Sequence, residues 1–252
     1  MRATLFTALI GLAFSLICIP PLVQASDKNR FALELEAGGV WFSRNDVQVP
    51  GDTGTRFDML DLTGNGPDFF SRLYGSWDIN PHHGVRIGIA PLKVSGTGNL
   101  TQPTLFAGTT FDPGQTTGTY QFSTYTITYR YTLSSSPKSA WRIGITGLVR
   151  DAEIQLEQNG KKASDSNIGF VPLLHLDGRY RFAQNWNFVF DFDGLASSQG
   201  RALDLALKVI YDVDKHWQVG GGYRTLEGGA DNDEVYNFAW LHYGFLDLAY
   251  RF

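Results

Sequence analysis

Strict alternation of two side-chain classes in one short stretch restricts what this chain can fold into. Residues 185–194 read NWNFVFDFDG, with aromatic rings at every second position and asparagine, valine or aspartate between them. Successive side chains of a β-strand point to opposite faces, so this spacing predicts a strand with one aromatic and one polar face. In a water-soluble barrel the rings would point inward, whereas in a barrel embedded in lipid they would point outward.

Similar alternating stretches recur along the chain, and no long segment has helical periodicity. The predicted fold class is therefore all-β, an up-and-down antiparallel β-barrel of about ten strands, an even number as in single-chain bacterial outer-membrane barrels, with about eight or twelve as alternatives. The predicted strands are Phe31–Phe42, Asp68–Ile79, Val85–Val94, Tyr120–Leu133, Trp141–Asp151, Ile168–Phe182, Trp186–Ala196, Ala202–Val213, Trp217–Leu226 and Val235–Phe252.

The beginning of the chain has the features of an export signal. Arg2 precedes an apolar run, Thr4–Ile19, and the small residue Ala25 ends a suitable cleavage site. The run is shorter than the roughly 20 residues that a membrane-spanning helix needs. We therefore predict a signal peptide over residues 1–25, cleaved after Ala25, and a single β-barrel domain over residues 26–252.

Composition narrows the possible functions. The chain has 21 Lys and Arg against 25 Asp and Glu and shows no basic cluster, so nucleic acid is not a predicted partner. Its one cysteine, Cys18, lies in the predicted signal peptide, so the mature chain has no disulfide. Its stability must come from a large core or from a closed sheet in a membrane.

The predicted connections differ in length between the two rims of the barrel. One rim has short turns, at residues 80–84, 134–139, 183–185 and 214–215. The other rim mostly has longer polar loops, at residues 43–67, 95–118, 152–167 and 228–234, with the short link 197–200 as an exception. Short periplasmic turns and long outward loops are typical of barrels that cross the outer membrane of Gram-negative bacteria.

Aromatic residues gather beside the short turns. These residues are Trp77, Tyr129, Tyr131, Trp141, Tyr180, Trp186, Tyr211, Trp217 and Tyr250. Ordinary aromatic enrichment in strands would not place them at one end, whereas an interfacial girdle of a transmembrane barrel would. We therefore predict that lipid contacts the aromatic face and that the charged face lines the interior.

Two strands fit this assignment less well. In the predicted strand Tyr120–Leu133, the apolar residues change from one face to the other near Ser123 and Thr124. We predict a β-bulge there that realigns the strand. In the last strand, Tyr243 and Phe245 fall on the predicted lumen side, against the assignment.

The last nine residues, GFLDLAYRF, alternate apolar and other side chains through Leu248 and Tyr250 and end on Phe252. This ending resembles the assembly signal of the bacterial outer-membrane β-barrel superfamily, and the resemblance covers the signal peptide and the whole mature chain. It implies a location in the bacterial outer membrane, contact with outer-membrane lipid and lipopolysaccharide, and recognition of the final strand by the outer-membrane assembly machinery. The resemblance indicates no narrower family, activity or oligomeric state.

The interior of a barrel of this size is nearly filled by its own side chains. Its predicted charges have mixed signs, and buried charges must be paired because an unpaired one costs several kcal/mol. We therefore predict a lumen ion-pair network that includes Arg142, Arg150, Arg179, Arg181 and Lys208.

One candidate site stands out from this network. Folding the hairpin at residues 183–185 would bring His175, Asp177, Asp191, Asp193 and Asp204 to one wall. Such a cluster could bind a proton or a divalent cation, or supply general acid and base groups. Omptin-type outer-membrane proteases are ten-stranded and work with Asp–Asp and His–Asp pairs. This chain is similar to them only in having two such pairs on adjacent strands, and it is shorter, with its pairs deeper than a site at the rim. We prefer the interpretation as a structural network of paired charges, because such networks also shift the pKa values of their residues without any catalysis.

Three functions follow from these observations. The first is an integral outer-membrane barrel with an ion-paired lumen, long extracellular loops and a structural or binding role. The alternatives are a narrow porin-like channel for small or hydrophobic solutes, and an omptin-like or lipid-modifying barrel enzyme. The oxygen-rich loops match no complete calcium motif, so we predict no metal and no cofactor, and a non-enzymatic role is favoured.

Overall fold

The computed structural model of the protein describes residues 30–197 and 200–252. The predicted signal peptide and its cleavage after Ala25 lie outside these residues. The elements are β1 (Phe31–Gln48), β2 (Phe57–Asp58), α1 (Leu60–Thr63), β3 (Asp68–Asp78), β4 (His83–Ala90), β5 (Lys93–Leu100), β6 (Thr104–Phe106), β7 (Thr109–Phe111), β8 (Gly114–Ser135), β9 (Ser139–Gln158), β10 (Lys161–Ala183), β11 (Trp186–Ser197), β12 (Gly200–Asp212), β13 (Trp217–Asp231) and β14 (Tyr236–Arg251).

Ten of these strands close into an antiparallel barrel, which confirms the predicted fold class. The order around the barrel is β1, β3, β4 and then β8 to β14, and β14 pairs back onto β1. Leu35 of β1 lies opposite Leu73 on one side and opposite Leu248 on the other. Two further strands lie outside the ring of ten: β2 pairs with β1, and β5 pairs with β8. Strands β6 and β7 form a separate hairpin. Among the described residues, no helix is long and apolar enough to cross a membrane.

The alternating stretch has its rings on the outside. Trp186 and Phe188 are 42% and 40% exposed, whereas Asn187 and Asp191 between and beyond them are buried. Exposed apolar side chains of this kind recur on every barrel strand. The orientation is therefore that of a barrel whose outer surface contacts lipid rather than water.

The strands extend further at the long-loop rim than we predicted. Residues 152–167, predicted as a loop, are the outer ends of β9 and β10, joined at Asn159 and Gly160, which both have positive φ. The alternation continues here, because Ile154 and Leu156 point inward and are buried, but the polar residues between them obscure it. Residues 95–118 likewise hold β5 to β7, and residues 43–67 hold the end of β1, β2 and α1.

The outer half of the barrel interior is an apolar core, which explains the two irregular strands. The predicted bulge at Ser123 and Thr124 is wrong, since β8 pairs with β9 in one continuous register there. The apolar residues of β8 change from one face to the other because the rings of Tyr120 and Phe122 point into the core. Tyr243 and Phe245 also point inward, each packing edge-on against Phe70, at ring-centroid distances of 4.7 and 6.3 Å.

Candidate functional site

The predicted carboxylate cluster forms around a histidine in the middle of the lumen. The register of β10 and β11 places His175 opposite Asp193 and Asp177 opposite Asp191. His175 Nε2 lies 2.9 Å from the Asp177 carboxylate, and its Nδ1 lies 3.0 Å from that of Asp193. The imidazole is fully buried. Both ring nitrogens are thus occupied by neighbouring carboxylates.

Two arginines face these carboxylates, Arg86 from β4 across the lumen and Arg142 from β9, the strand next to β10. Arg86 contacts Asp191 with both terminal nitrogens, at 2.6 and 3.0 Å, and lies 3.7 Å from Asp193. Arg142 donates to Asp177 at 2.8 Å. These contacts supply the pairing that a group of buried carboxylates requires.

Asp204 does not share the histidine cluster, although the register of β11 and β12 places it opposite Asp193. Its carboxylate turns instead to Arg72 and Arg224, at 2.9 and 2.5 Å. Arg224 also donates to Glu36 at 2.9 Å. The structure therefore brings four of the five candidate residues together and assigns the fifth to a neighbouring part of the same network.

A second carboxylate group surrounds Lys208. Its ammonium contacts Glu34, Glu36 and Asp247 at once. A local sequence pattern could not group these acids with Lys208, because β1 is distant in sequence from β12 and β14. Barrel closure brings them together.

The predicted network residues divide into paired and unpaired groups. Arg179 and Arg181 lie 3.7 and 3.8 Å from Asp212, near the short-turn rim. Arg142 and Lys208 have the partners described above. Arg150 differs, because the only hydrogen bond of its side chain within the described residues is to Asn167, at 2.9 Å, and its buried Nε has no partner.

Within residues 30–197 and 200–252, two groups of three side chains have the proximity that a metal ion requires. They are His175 with Asp191 and Asp193, and Glu34 with Glu36 and Asp247. In the second group the Lys208 ammonium already contacts all three carboxylates. In the first group the Arg86 guanidinium approaches both aspartates. A divalent cation would have to displace a fixed positive charge in either place.

The same contacts limit acid–base chemistry at His175. A general base needs a nitrogen lone pair within hydrogen-bond reach of the substrate proton. Both nitrogens of His175 are held by carboxylates, and the side chain has no exposed surface. The geometry stabilises the barrel interior and leaves the His175 ring without a free nitrogen or an exposed surface.

A cavity of about 540 Å³ lies above this network in the outer half of the barrel. Arg72, Arg86 and Arg224 form its floor, and Tyr120, Leu173 and Leu226 are among its apolar wall residues. We call it the outer cavity. Sequence reasoning missed it, since an internal space follows from side-chain packing in three dimensions.

The predicted girdle residues lie on the outer surface at the short-turn rim. Seven of them are 38–50% exposed, while Tyr211 and Tyr250 pack against Trp186 and Trp217, with ring centroids 5.0 and 4.8 Å apart. A second group of exposed rings, which we did not predict, lies towards the opposite rim: Trp41, Phe69, Tyr223 and Trp240. Two aromatic belts frame the apolar surface, as in transmembrane barrels.

The last strand follows the pattern of the predicted assembly signal. Leu248 is 42% exposed on the outer surface, and Tyr250 packs edge-on against Trp217. The Phe252 amide donates to the carbonyl of Phe31 at 2.9 Å, which closes the barrel at this rim.

The sequence matches no protein-family model and no curated protein. The fold is similar to that of the outer-membrane protease OmpT from Escherichia coli, with a TM-score of 0.55 and 11% identity over 92% of this chain and 99% of that one. It is also similar to the β-domain of the Bordetella autotransporter BrkA, with a TM-score of 0.50 and 11% identity over 88% of this chain and 99% of that one. These comparisons identify the outer-membrane β-barrel fold. At such identities they indicate nothing about activity.

Proposed function

We propose that this protein is an integral barrel of the bacterial outer membrane with a structural or binding role and a closed lumen. The observation that carries the proposal is the ion-pair network that crosses the bore, in which Arg86, Asp191 and Lys208 are all buried. Above it lies an apolar layer, the core that includes Phe70 and Tyr243, which shares the outer half of the bore with the outer cavity.

The outer surface supports the membrane location. Its exposed apolar residues would be unfavourable in water but are suited to acyl chains, and the aromatic belts suit the two interfaces. Outer-membrane lipid and lipopolysaccharide are therefore the proposed partners of this surface. The final strand through Leu248, Tyr250 and Phe252 is the proposed contact for the assembly machinery.

The buried ion-pair network disfavours the channel alternative, because an ion would have to cross this layer of paired charges. The contacts of His175 and its burial disfavour the enzymatic alternative. Similarity in fold to a protease does not change this, since one fold supports many activities.

Single-channel recording of the refolded mature chain in planar bilayers tests the proposal. We expect a silent bilayer at all voltages, with a known porin as the positive control in the same membrane. Discrete conductance steps from the protein would overturn the closed lumen. Folding to a monomer in buffer without detergent or lipid would overturn the membrane location.

A further inference from the structure

The outer cavity has the size of a ligand site, and the closed lumen lies beneath it. Pockets for small molecules usually measure about 300–1,000 Å³ and combine apolar walls with a few polar groups. The outer cavity measures about 540 Å³. Its walls include Tyr120, Phe122, Ile154 and Leu173, and its floor is the guanidinium layer of the ion-pair network.

One wall of the outer cavity is open to the side. β10 and β11 pair from Ala183 and Trp186 only as far as Leu174 and Gly194. Beyond that point β10 continues outward to Lys161, and no described residue forms strand pairs with it on its β11 side. Pro172 lies at the start of this unpaired edge, where a residue without an amide hydrogen is tolerated. We call this opening the side gap.

The side gap lies at the level of the membrane surface. Its edge residues Phe170 and Leu195 line the cavity. On the outer face of the same segment of β10, Ile168 and Phe170 are 66% and 69% exposed. Apolar side chains so exposed indicate that lipid reaches this height of β10. The outer cavity is therefore in contact with the outer leaflet.

Arg150 is the distinctive charge in the outer cavity. Four other arginines line it, and each has a carboxylate partner: Arg72 and Arg224 with Asp204, Arg86 with Asp191, and Arg201 with Glu227. Within the described residues Arg150 has none, and its buried Nε makes no hydrogen bond. An unpaired guanidinium beside apolar walls is suited to an anionic group joined to an apolar body.

Six acidic residues line the cavity. Four of them, Glu153, Asp193, Asp204 and Glu227, lie within 4.0 Å of a lysine or arginine, whereas Asp165 and Glu234 have no such partner among the described residues. On β10, Gly169 lies opposite Arg150, and Asp165 is four positions further out, opposite Ile154. Asp165 is therefore nearer to the outer rim than Arg150. The negative charges of Asp165 and Glu234 would repel an anion that arrives from water. The side gap offers a route from lipid that avoids them.

We propose that the outer cavity binds an amphiphile with an acyl chain and an anionic head, that the molecule enters through the side gap, and that Arg150 binds the head. The proposal deepens the proposed binding role and rests on the membrane location. The chain lies against Tyr120, Phe122 and Leu173. The anionic group supplies the partner that Arg150 lacks in the folded chain.

Binding of dodecanoate and of dodecanol to the refolded protein in nanodiscs of uncharged lipid tests this proposal. We expect saturable binding of dodecanoate at one site. Arg150→Gln should weaken that binding at least about tenfold, as loss of one charge-assisted hydrogen bond would, and should leave dodecanol unchanged. Arg181→Gln, the same change at the opposite rim, is the matched control, and Arg150→Lys should retain part of the affinity.

The two sources of such an amphiphile are separated by a second arm. Adding phosphatidic acid to the nanodiscs should compete with dodecanoate if a membrane lipid occupies the outer cavity, and should have no effect if only a free acid fits. No saturable binding, or equal dodecanoate affinity in wild type and Arg150→Gln, would overturn the proposal. The conductance test above is independent, so a failed ligand site and a failed closed lumen are distinguishable.

Discussion

Arg86 of β4 and Asp191 of β11 form a two-point contact across the lumen, with nitrogen–oxygen distances of 2.6 and 3.0 Å. Three strands, β8, β9 and β10, separate β4 from β11 in the sheet. Their side chains are only 9% and 5% exposed. The pair therefore joins two walls of the barrel through its interior, where neither charge could be left alone.

Removing one member of this pair should strongly destabilise the barrel. We expect Arg86→Met to lower the free energy of unfolding by about 3–5 kcal/mol, because the Asp191 carboxylate stays buried without its partner. Urea unfolding in lipid vesicles measures the change. The double variant Arg86→Met with Asp191→Leu should recover much of the loss, since it removes both charges.

Arg201→Met is the control for that experiment. Arg201 pairs with Glu227, but its side chain is 47% exposed, and exposed pairs contribute only about 0–1 kcal/mol. Equal losses in the Arg86 and Arg201 variants would show that the lumen pair has no special role in stability.

The adjacent residues Phe69 and Phe70 separate lipid contact from core packing. Phe70 is 3% exposed and packs against Tyr243, whereas Phe69 is 78% exposed on the outer surface. We expect Phe70→Ala to cost about 3–5 kcal/mol because it leaves a cavity in the apolar layer. Phe69→Ala should cost clearly less by the same urea measurement. A larger loss for Phe69 would contradict the assignment of inner and outer faces.

Much of the fold could be predicted from the sequence, because alternation reports directly on the two faces of a strand. The spacing in residues 185–194 predicted β11, and the hairpin turn predicted the approach of His175 to Asp193. The change of the apolar residues from one face to the other at Ser123 was also visible in the sequence, but its cause was not. Only the closed barrel shows that the rings of Tyr120 and Phe122 contact other apolar side chains inside it.

The partners of the lumen charges were less predictable. Arg86 meets Asp191, 105 residues away, and Lys208 meets Glu34, 174 residues away. Such pairs depend on barrel closure and on strand stagger, neither of which a local pattern contains. For the same reason Arg150 and Arg142 had the same predicted role, although only Arg142 has a carboxylate partner within the described residues.

The tryptophans provide a test of membrane depth. All six of the chain's tryptophans are 41–45% exposed on the outer surface, at Trp41, Trp77, Trp141, Trp186, Trp217 and Trp240. They lie in the two aromatic belts, so we expect lipids brominated near the head group to quench their fluorescence more than lipids brominated near the chain ends. Trp217→Phe should lower the total tryptophan fluorescence. It should not change how the fraction quenched depends on the position of the bromine in the lipid. Strongest quenching at the bilayer midplane would contradict the belt assignment.

Beyond the outer aromatic belt, Asp46 provides a test of pH dependence. Burial alone raises the pKa of Asp46, but hydrogen bonds from Arg44 and Arg56, at 2.7 and 2.9 Å, outweigh this and lower it below its ordinary value. A carboxyl whose pKa is lowered by folding stabilises the folded state above its ordinary pKa, and this contribution disappears as the pH falls through the folded-state pKa.

We expect Asp46→Asn to cost about 1 kcal/mol at neutral pH and progressively less in acid, measured as the difference in unfolding free energy from wild type. Asp52→Asn, at an exposed loop position, is the control and should show little difference at neutral pH. A cost for Asp46→Asn that stays constant as the pH is lowered would show that its pairing with the two arginines does not stabilise the folded barrel.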